Sequence, residues 1–457
     1  MSEDLSAGDS ISESLTVDRS TLRRASLAGM IGTTLENYDF VIYGTAAALV
    51  FNKLFFPNLN PAIGILASFA TYGVGFVARP LGGLFFSHFG DRIGRKWVLV
   101  GTLFLMGTAT FVIGLLPTYG TVGVLAPSLL TVCRLLQGFG SGAEQAGGIV
   151  LLTETAPRNK RGRYASLVYV GAALGSVLGA LVWILVQLMP DDRVQSIGWR
   201  IVFLSSILVT IAAYIFRRRL RESPVFEEAK SRGTIVERER TPLGLAFRNG
   251  WRGIARVFGI NIGAIAHSYF YQVFVGSYIE NDLHMPADVV PPMLLIGGIF
   301  AMISAFTGGV LSDRFGRRPL YIIICAMLMV MPYPAFLLLH TRSVLVVGIV
   351  VVVGFIVAVE GTVGVQSAFL PELFGSRYRY TGVAIGRETS AAVGGFGPFI
   401  AQGLLAATGS FIPVVIYLMV VAAIGLGTAV WAPETRGRDL LAEADAKHGD
   451  PIPTAVG

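Results

Sequence analysis

The chain has 457 residues, 53% of them apolar and only 14% charged, with a mean hydropathy of +0.65. A soluble protein carries roughly 25% charged residues, so this composition excludes an ordinary globular domain and points to an all-α polytopic membrane protein. The formal charge of +7 would suit a nucleic-acid surface, but the basic residues cluster in short loops between apolar runs, where they mark topology instead.

The acidic, polar start MSEDLSAGDSISESLTVDRS lacks the basic region and apolar run of a cleavable signal. About 20 apolar residues cross a bilayer as a helix, and hydrophobic runs between charged breaks predict twelve spans. They cover 25–51, 62–88, 97–116, 124–152, 163–189, 198–216, 254–279, 291–311, 319–339, 344–370, 380–406 and 411–432. The division is therefore a tail (1–24), a six-helix half (25–216), a central loop (217–250), a second six-helix half (251–432) and a closing tail (433–457). That last tail is too short for a coiled coil.

In chain order, the first span carries Glu36 and Asp39 inside IGTTLENYDFVIYGTAAALVF, three residues apart on one helical face. The second holds Arg79 and ends in SHFGDRIGRK; the third has no charge. The fourth holds Arg134 and Glu144, with Glu154 at its end and a basic loop, Arg158 to Arg163, beyond it. The fifth, with GAALGSVLGAL, offers small residues for close helix packing. RRRLRESPVFEEAKSRGTIVERER follows the sixth. His267, Tyr269, Tyr271 and Gln272 lie in the seventh, and GGVLSDRFGRRP closes the eighth. Glu360 is in the tenth and the pair Arg387-Glu388 in the eleventh. Cys133 and Cys325 fall in apolar runs far apart and read as small buried hydrophobes. Arginine and lysine dominate the loops after even-numbered spans, which predicts both termini and the central loop to be cytoplasmic.

The halves repeat each other. Asp91 and Asp313 are 222 positions apart, and Glu154 and Glu372 are 218 apart, each glutamate with an arginine seven residues later. Two parallel halves related about the membrane normal is an architecture of secondary transporters.

D-R-x-G-R-[RK], present twice, with RLLQGFGSGAE in the fourth span, resembles the major facilitator superfamily. ARPLGGLFFSHFGDRIGRK, LENYDF, ESPVF and PELFGSRYRYTG are similar to its metabolite:proton symporter branch, whose members carry shikimate, 2-oxoglutarate and other organic acids, or proline and betaine. Ser87 stands where the signature loop has glycine. Asn37 replaces an aromatic residue, which would turn a pocket wall into an amide. The Gly-Pro motif of drug antiporters is absent from the fifth span. The resemblance implies that spans 1, 4, 7 and 10 line a central cavity in an inner-membrane protein working as a monomer.

Ionised groups at bilayer depth cost at least ~2.5 kcal/mol, so they usually face a cavity and have a function. A carboxylate in a poorly solvated cavity can exchange a proton near neutral pH. Asp39 is the favoured coupling residue, with Glu36, His267 and Glu360 as further candidates. The other reading leaves the two acids of span 1 at the cytoplasmic interface, and His267 and Glu360 as hydrogen-bonding groups between helices. Arg134 offers a planar donor fork suited to a carboxylate, unless an acid on a neighbouring helix already holds it. Arg387 is a second candidate, with Glu388 beside it. Tyr38, Tyr43, Tyr271 and Gln272 would supply polar-tipped walls. In the signature loops, Asp91, Arg92, Gly94, Arg95 and Glu154, repeated as Asp313, Arg314, Gly316, Arg317 and Glu372, form a candidate gate. The acid meets a helix N-terminus of the other half, and the arginines pair with the glutamates.

The expected function is proton-driven import of a small organic acid by alternating access, its partners being solute, protons and lipid. Uptake of an osmolyte such as proline or betaine is the alternative; multidrug efflux and a non-transporting nutrient sensor rank lower. With no metal-ligand cluster, nucleotide loop or soluble domain in the sequence, neither an enzyme nor any cofactor is expected.

Overall fold

A computed structural model of the chain describes residues 19–450 apart from 94, 143, 219–241, 377, 441 and 443. All twelve spans lie on helices. The first half holds α1 (Arg19–Leu49), α2 (Pro61–Ile93), α3 (Arg95–Leu115), α4 (Leu125–Ser141, then Glu144–Thr155), α5 (Arg161–Ala165, then Leu167–Gln187) and α6 (Trp199–Leu204, then Ser206–Arg218). The second holds α7 (Trp251–Tyr269, running on to Asp282), α8 (Val290–Phe315), α9 (Arg317–Val330, then Pro332–Leu339), α10 (Val344–Gly354, Phe355–Gly361, Thr362–Glu372), α11 (Arg379–Gly394, then Gly397–Thr408) and α12 (Ile412–Trp431).

Two stretches differ from expectation. Residues assigned to the central loop form a further helix, Pro242–Asn249. The tail after α12 is not free: Glu434 accepts hydrogen bonds from the first amides of α9, at Arg317 and Arg318 (both 3.0 Å), and Ala446 donates to the Leu373 carbonyl (3.0 Å).

Among the described residues, seven helices qualify as membrane spans on length and apolarity alone, or eight with the two parts of α9, which meet at 43°. Among those that fall short are α1, α4 and α7. These carry Glu36 and Asp39, Arg134 and Glu144, and His267, and α7 is further interrupted by π-helical turns at Phe270–Phe274 and Tyr278–Asp282. Such turns concentrate at functional sites.

Polar seams fix the helices against one another. Thr33 and Thr34 on α1 donate to the carbonyls of Val168 (2.6 Å) and Gly171 (2.9 Å) on α5, and the Asn37 amide to Ala172 and Ser176 (both 2.6 Å). The departure at Asn37 is thus a helix-packing device, and no pocket wall changes with it. In the second half Asn261 on α7 likewise donates to Ser390 on α11 (2.7 Å). Between α2 and α4 the backbones nearly touch. A β-carbon on Gly138 would collide with the Gly75 carbonyl, and one on Gly142 with that of Arg79. This contact sets Arg79 and Arg134 on facing helices, both buried.

Contacts join the two halves at both faces. At the arginine-rich face Asp313, ending α8, accepts from the amides of Gly162 (2.9 Å) and Arg163 (2.8 Å) at the start of α5, and Glu154 pairs with Arg379 (2.7 Å). At the opposite face Lys53 meets Glu280 (3.9 Å), Gly44 packs on Val273, and Gly73 on the Phe396 ring.

Glu280 lies just past the apolar part of α7, and burial pushes its carboxyl from 4.5 up to about 7, with Lys53 pulling the other way. In an opened, hydrated face the group returns toward 4.5, so closure is favoured by its protonated form and is lost as pH rises through about 7. A cysteine at Val273 is expected to be shielded from a membrane-impermeant maleimide below pH ~5 and to label faster above pH ~8. Glu280→Gln should remove that dependence, and an unchanged pH profile in Glu280→Gln would refute the assignment.

Candidate functional site

The interior holds two sets of charges. The first is a continuous chain. Arg79 on α2 pairs with Glu36 on α1 and, through Nε, with Glu388 on α11 (both 2.7 Å), and Glu388 pairs with Arg387 (2.7 Å). Arg387 also donates to Gln145 on α4. Two acids and two arginines neutralise one another across the boundary between the halves. Removing one member of a buried pair leaves an uncompensated charge, which costs about 3–5 kcal/mol. Glu36, a coupling candidate, is therefore already matched, and so is Arg387, a substrate candidate. Arg79, which the sequence offers only as part of a family motif, sits at the centre of the chain.

The second set is separated. Arg134 is fully buried, and its guanidinium lies 4.4 Å from the ring centres of Phe40 and Tyr43, 4.8 Å from Tyr72 and 5.7 Å from Phe76. A cation is attracted to the faces of such rings. Its Nε donates to the Tyr72 carbonyl (3.3 Å) and Nη1 to Gln137, one helical turn away; Nη2 has no partner among the described residues. Gln137 in turn donates to the Thr110 hydroxyl on α3 (2.7 Å), and that hydroxyl donates to Asp39 Oδ2 (2.6 Å). Asp39 is fully buried and its Oδ1 is without a partner among the described residues. An arginine and an aspartate thus face the same interior, linked by an amide and a hydroxyl, each with one valence unfilled.

The remaining candidates scatter. Tyr43 underlies Arg134 and donates to Thr71 (2.9 Å). Tyr38 directs its hydroxyl away from Arg134, to within 2.7 Å of Ser205 on α6. His267 is buried with Nδ1 on the Gly263 carbonyl (2.8 Å) and lies against Leu328 of α9, apart from either charge set. Tyr271 packs over Gly354 of α10, and Gln272 donates to Ser268 (2.7 Å). Glu360, in the π-helical part of α10, is buried with Oε2 unpartnered among the described residues, near Tyr169 and hence near Arg387.

Of the gating set, Asp313 caps α5 as described, and Arg317 pairs with Asp313 (2.7 Å) and Glu372 (3.2 Å). Gly316 holds φ at 101°, a turn that favours glycine. Arg314 lies outside these pairs, over the Phe315 ring (5.4 Å). Glu154 pairs with Arg379 of the other half. The side chains of Asp91, Arg92 and Arg95, Gly94 itself and the side chain of Ser87 lie outside the described residues.

Thr110, Gln137 and the rings of Phe40, Tyr72 and Phe76 were not singled out from sequence. Gln137 carries a usable signal, standing three residues after Arg134 and so on the same helical face. The aromatic rings carry none, because such residues are common in packed membrane helices. Among the described residues no three His, Cys, Asp or Glu side chains gather in a way that would hold a metal.

Residues 30–398 match the Major Facilitator Superfamily. A shikimate transporter of Escherichia coli strain K12 is 37% identical over 420 residues, covering 91% of this chain and 95% of its own. A proline/betaine transporter of the same organism is 34% identical over 436 residues, covering 93% and 86%. Among solved structures, a D-xylose-proton symporter matches with a TM-score of 0.68 at 18% identity over 91% of this chain and 99% of its own. A partially occluded inward-open form of the xylose transporter from E. coli reaches 0.70 at 17% identity, covering 92% and 100%. At such identity these likenesses speak to the fold alone. The chain belongs to the major facilitator superfamily, as a twelve-helix, multi-pass membrane transporter of a bacterial family.

Proposed function

We propose that this transporter imports a small organic acid together with a proton, moving both by alternating access between its two six-helix halves (25–216 and 251–432). The observation that carries this reading is the separation of Arg134 from Asp39. With the solute absent, cationic Arg134 and anionic Asp39 balance through Gln137 and Thr110. An organic anion on Arg134 takes over that balance, and the site then stays neutral only if Asp39 binds a proton. Empty and doubly loaded forms are each electroneutral. A form carrying one cargo alone holds a net buried charge, which is costly by at least ~2.5 kcal/mol, about 60-fold in population. Coupling follows from that penalty alone.

Arg134 presents Nη2 to the solute carboxylate, and the aromatic rings exclude water and fix the plane of the guanidinium. The Glu36–Arg79–Glu388–Arg387 chain serves as a hinge of matched charge between the halves. The arginine-rich face is cytoplasmic, in keeping with the retention of positive residues there. On it Asp313, Arg317, Glu154 and Glu372 latch the inner end, and Arg379 and Arg161 join them. The same arrangement has room for a second reading, a zwitterion whose ammonium would use the unmatched Glu360; the proline/betaine relative favours it. A competition panel of shikimate, 2-oxoglutarate, aromatic acids, proline and betaine separates the two.

In proteoliposomes, uptake of the best competitor should accelerate under an inward proton gradient, and Asp39→Asn should abolish the acceleration without loss of folded protein. Gradient-insensitive uptake by the unaltered chain would refute coupling. Arg134→Gln removes a charge-assisted hydrogen bond and should weaken solute binding by about 10- to 100-fold, read as the equilibrium Kd. Asp313→Asn removes an anion from the N-terminus of α5, a loss of ~1 kcal/mol, about fivefold in favour of the inward-open form. Accessibility of a cysteine at Ser166, buried against Gly309 at this contact, to a permeant maleimide checks it.

A further inference from the structure

The structure assigns a second anion site, apart from the transport path, to a basic hollow beside the start of α7, where a phosphate-bearing group binds. Its cavity of ≈ 480 Å³ is lined by Asn249, Arg252, Arg256, Tyr378 and the tail segment 444–447, which includes Lys447. The acid in the wall, Asp445, is engaged elsewhere: its Oδ1 accepts from the Gly375 amide (3.0 Å) and the Tyr378 hydroxyl (2.9 Å). The lining carries three cations and one acid, so positive charge stays in excess there even with Asp445 acting on Arg256, and Asp450 accepts from the Lys447 amide beside it.

Arg256 makes this a built site. It is only 8% exposed, its guanidinium lies 4.7 Å over the Trp431 ring, and Nη1 donates to the Ala446 carbonyl (3.3 Å). Its Nε is buried with no partner among the described residues. A guanidinium cannot give up its charge, so the unfilled donor calls for an acceptor. Arg252 and Lys447, both exposed, stand at the mouth. A phosphate group in the hollow is met by the guanidinium of Arg256 from the inner wall, and the outer cations neutralise the rest of its charge.

The surroundings set the depth. Phe247, Trp251 and Trp431 are 57%, 54% and 41% exposed, and Arg252 lies over Trp251 (5.5 Å). Exposed aromatic rings of this kind sit at the level of lipid headgroups, where each nearby basic residue contributes roughly 1 kcal/mol of attraction to an anionic leaflet. The tail that forms the outer wall also holds the halves together. Arg161 of the first half donates to the Arg438 carbonyl (2.5 Å) and Arg158 to that of Gly437. A bound phosphate group fastens the tail to α7 and so adds to the closure of this face.

The test uses the full chain in nanodiscs of phosphatidylcholine, of phosphatidylcholine with about one third phosphatidylglycerol, and of phosphatidylcholine plus inorganic phosphate. Phosphatidylglycerol is expected to raise the unfolding midpoint by about 2–4 °C. Arg252→Glu combined with Lys447→Glu should lose the rise, while Arg252→Lys with Lys447→Arg should keep it. A rise with inorganic phosphate alone, lost in the same charge-reversed variant, supports the site with a soluble occupant. An equal response of unaltered and charge-reversed chains, or no response in either arm, overturns the proposal.

Discussion

Charge cannot be left unmatched where water is excluded, and the interior of this protein is arranged around that constraint. Glu36, Arg79, Glu388 and Arg387 satisfy it by direct contact. Arg134 and Asp39 satisfy it at a distance, through one amide and one hydroxyl. The distant pair is linked only through those two neutral groups, so its balance can be taken over by an anion that enters from outside. On the reading proposed above, that difference divides the charges of the fold into a structural set and a working set.

The backbone makes the division possible. Glycines at 75, 138 and 142 let α2 and α4 approach until their backbones nearly touch, which sets the two buried arginines on facing helices. Phe40 and Phe76, stacked at 4.9 Å, lie within 5.7 Å of both guanidinium groups. The hydrogen-bonded seams of Thr33, Thr34 and Asn37 on α5, and of Asn261 on α11, tie helices together within each half, and the halves pack on each other along α5 with α8 and α2 with α11. On the reading proposed above, the packing of Gly44 on Val273 and of Gly73 on Phe396 at one end, and Asp313 with the start of α5 at the other, close the path on both sides.

Much of the fold was legible because its signals are local. Apolar runs gave the twelve helices, and the two signature loops gave the repeat. Features that depend on which way a helix turns were not legible in the same way. Tyr38 and Tyr43 are five positions apart in one span, yet one hydroxyl meets α6 and the other donates to α2 beside Arg134. Asn37 reads as a pocket residue beside Tyr-Asp-Phe, and only the packing of α5 shows what occupies its amide. Arg79 is unremarkable in sequence because its two partners come from α1 and α11, the latter 309 positions away. Likewise, the tail after α12 is a polar string on paper, and its role as a strap depends on carbonyls of residues 437–446 finding arginines in both halves.

The most direct test of the two-set account is the number of protons taken up when solute binds to the purified protein. A pH-sensitive dye in weakly buffered detergent solution, at a pH where Asp39 is ionised in the empty protein, should report close to one proton per bound anion for the native chain and none for Asp39→Asn. Binding with no proton uptake by the native chain, or uptake that survives in Asp39→Asn, would contradict the claim that Arg134 and Asp39 balance each other until cargo arrives.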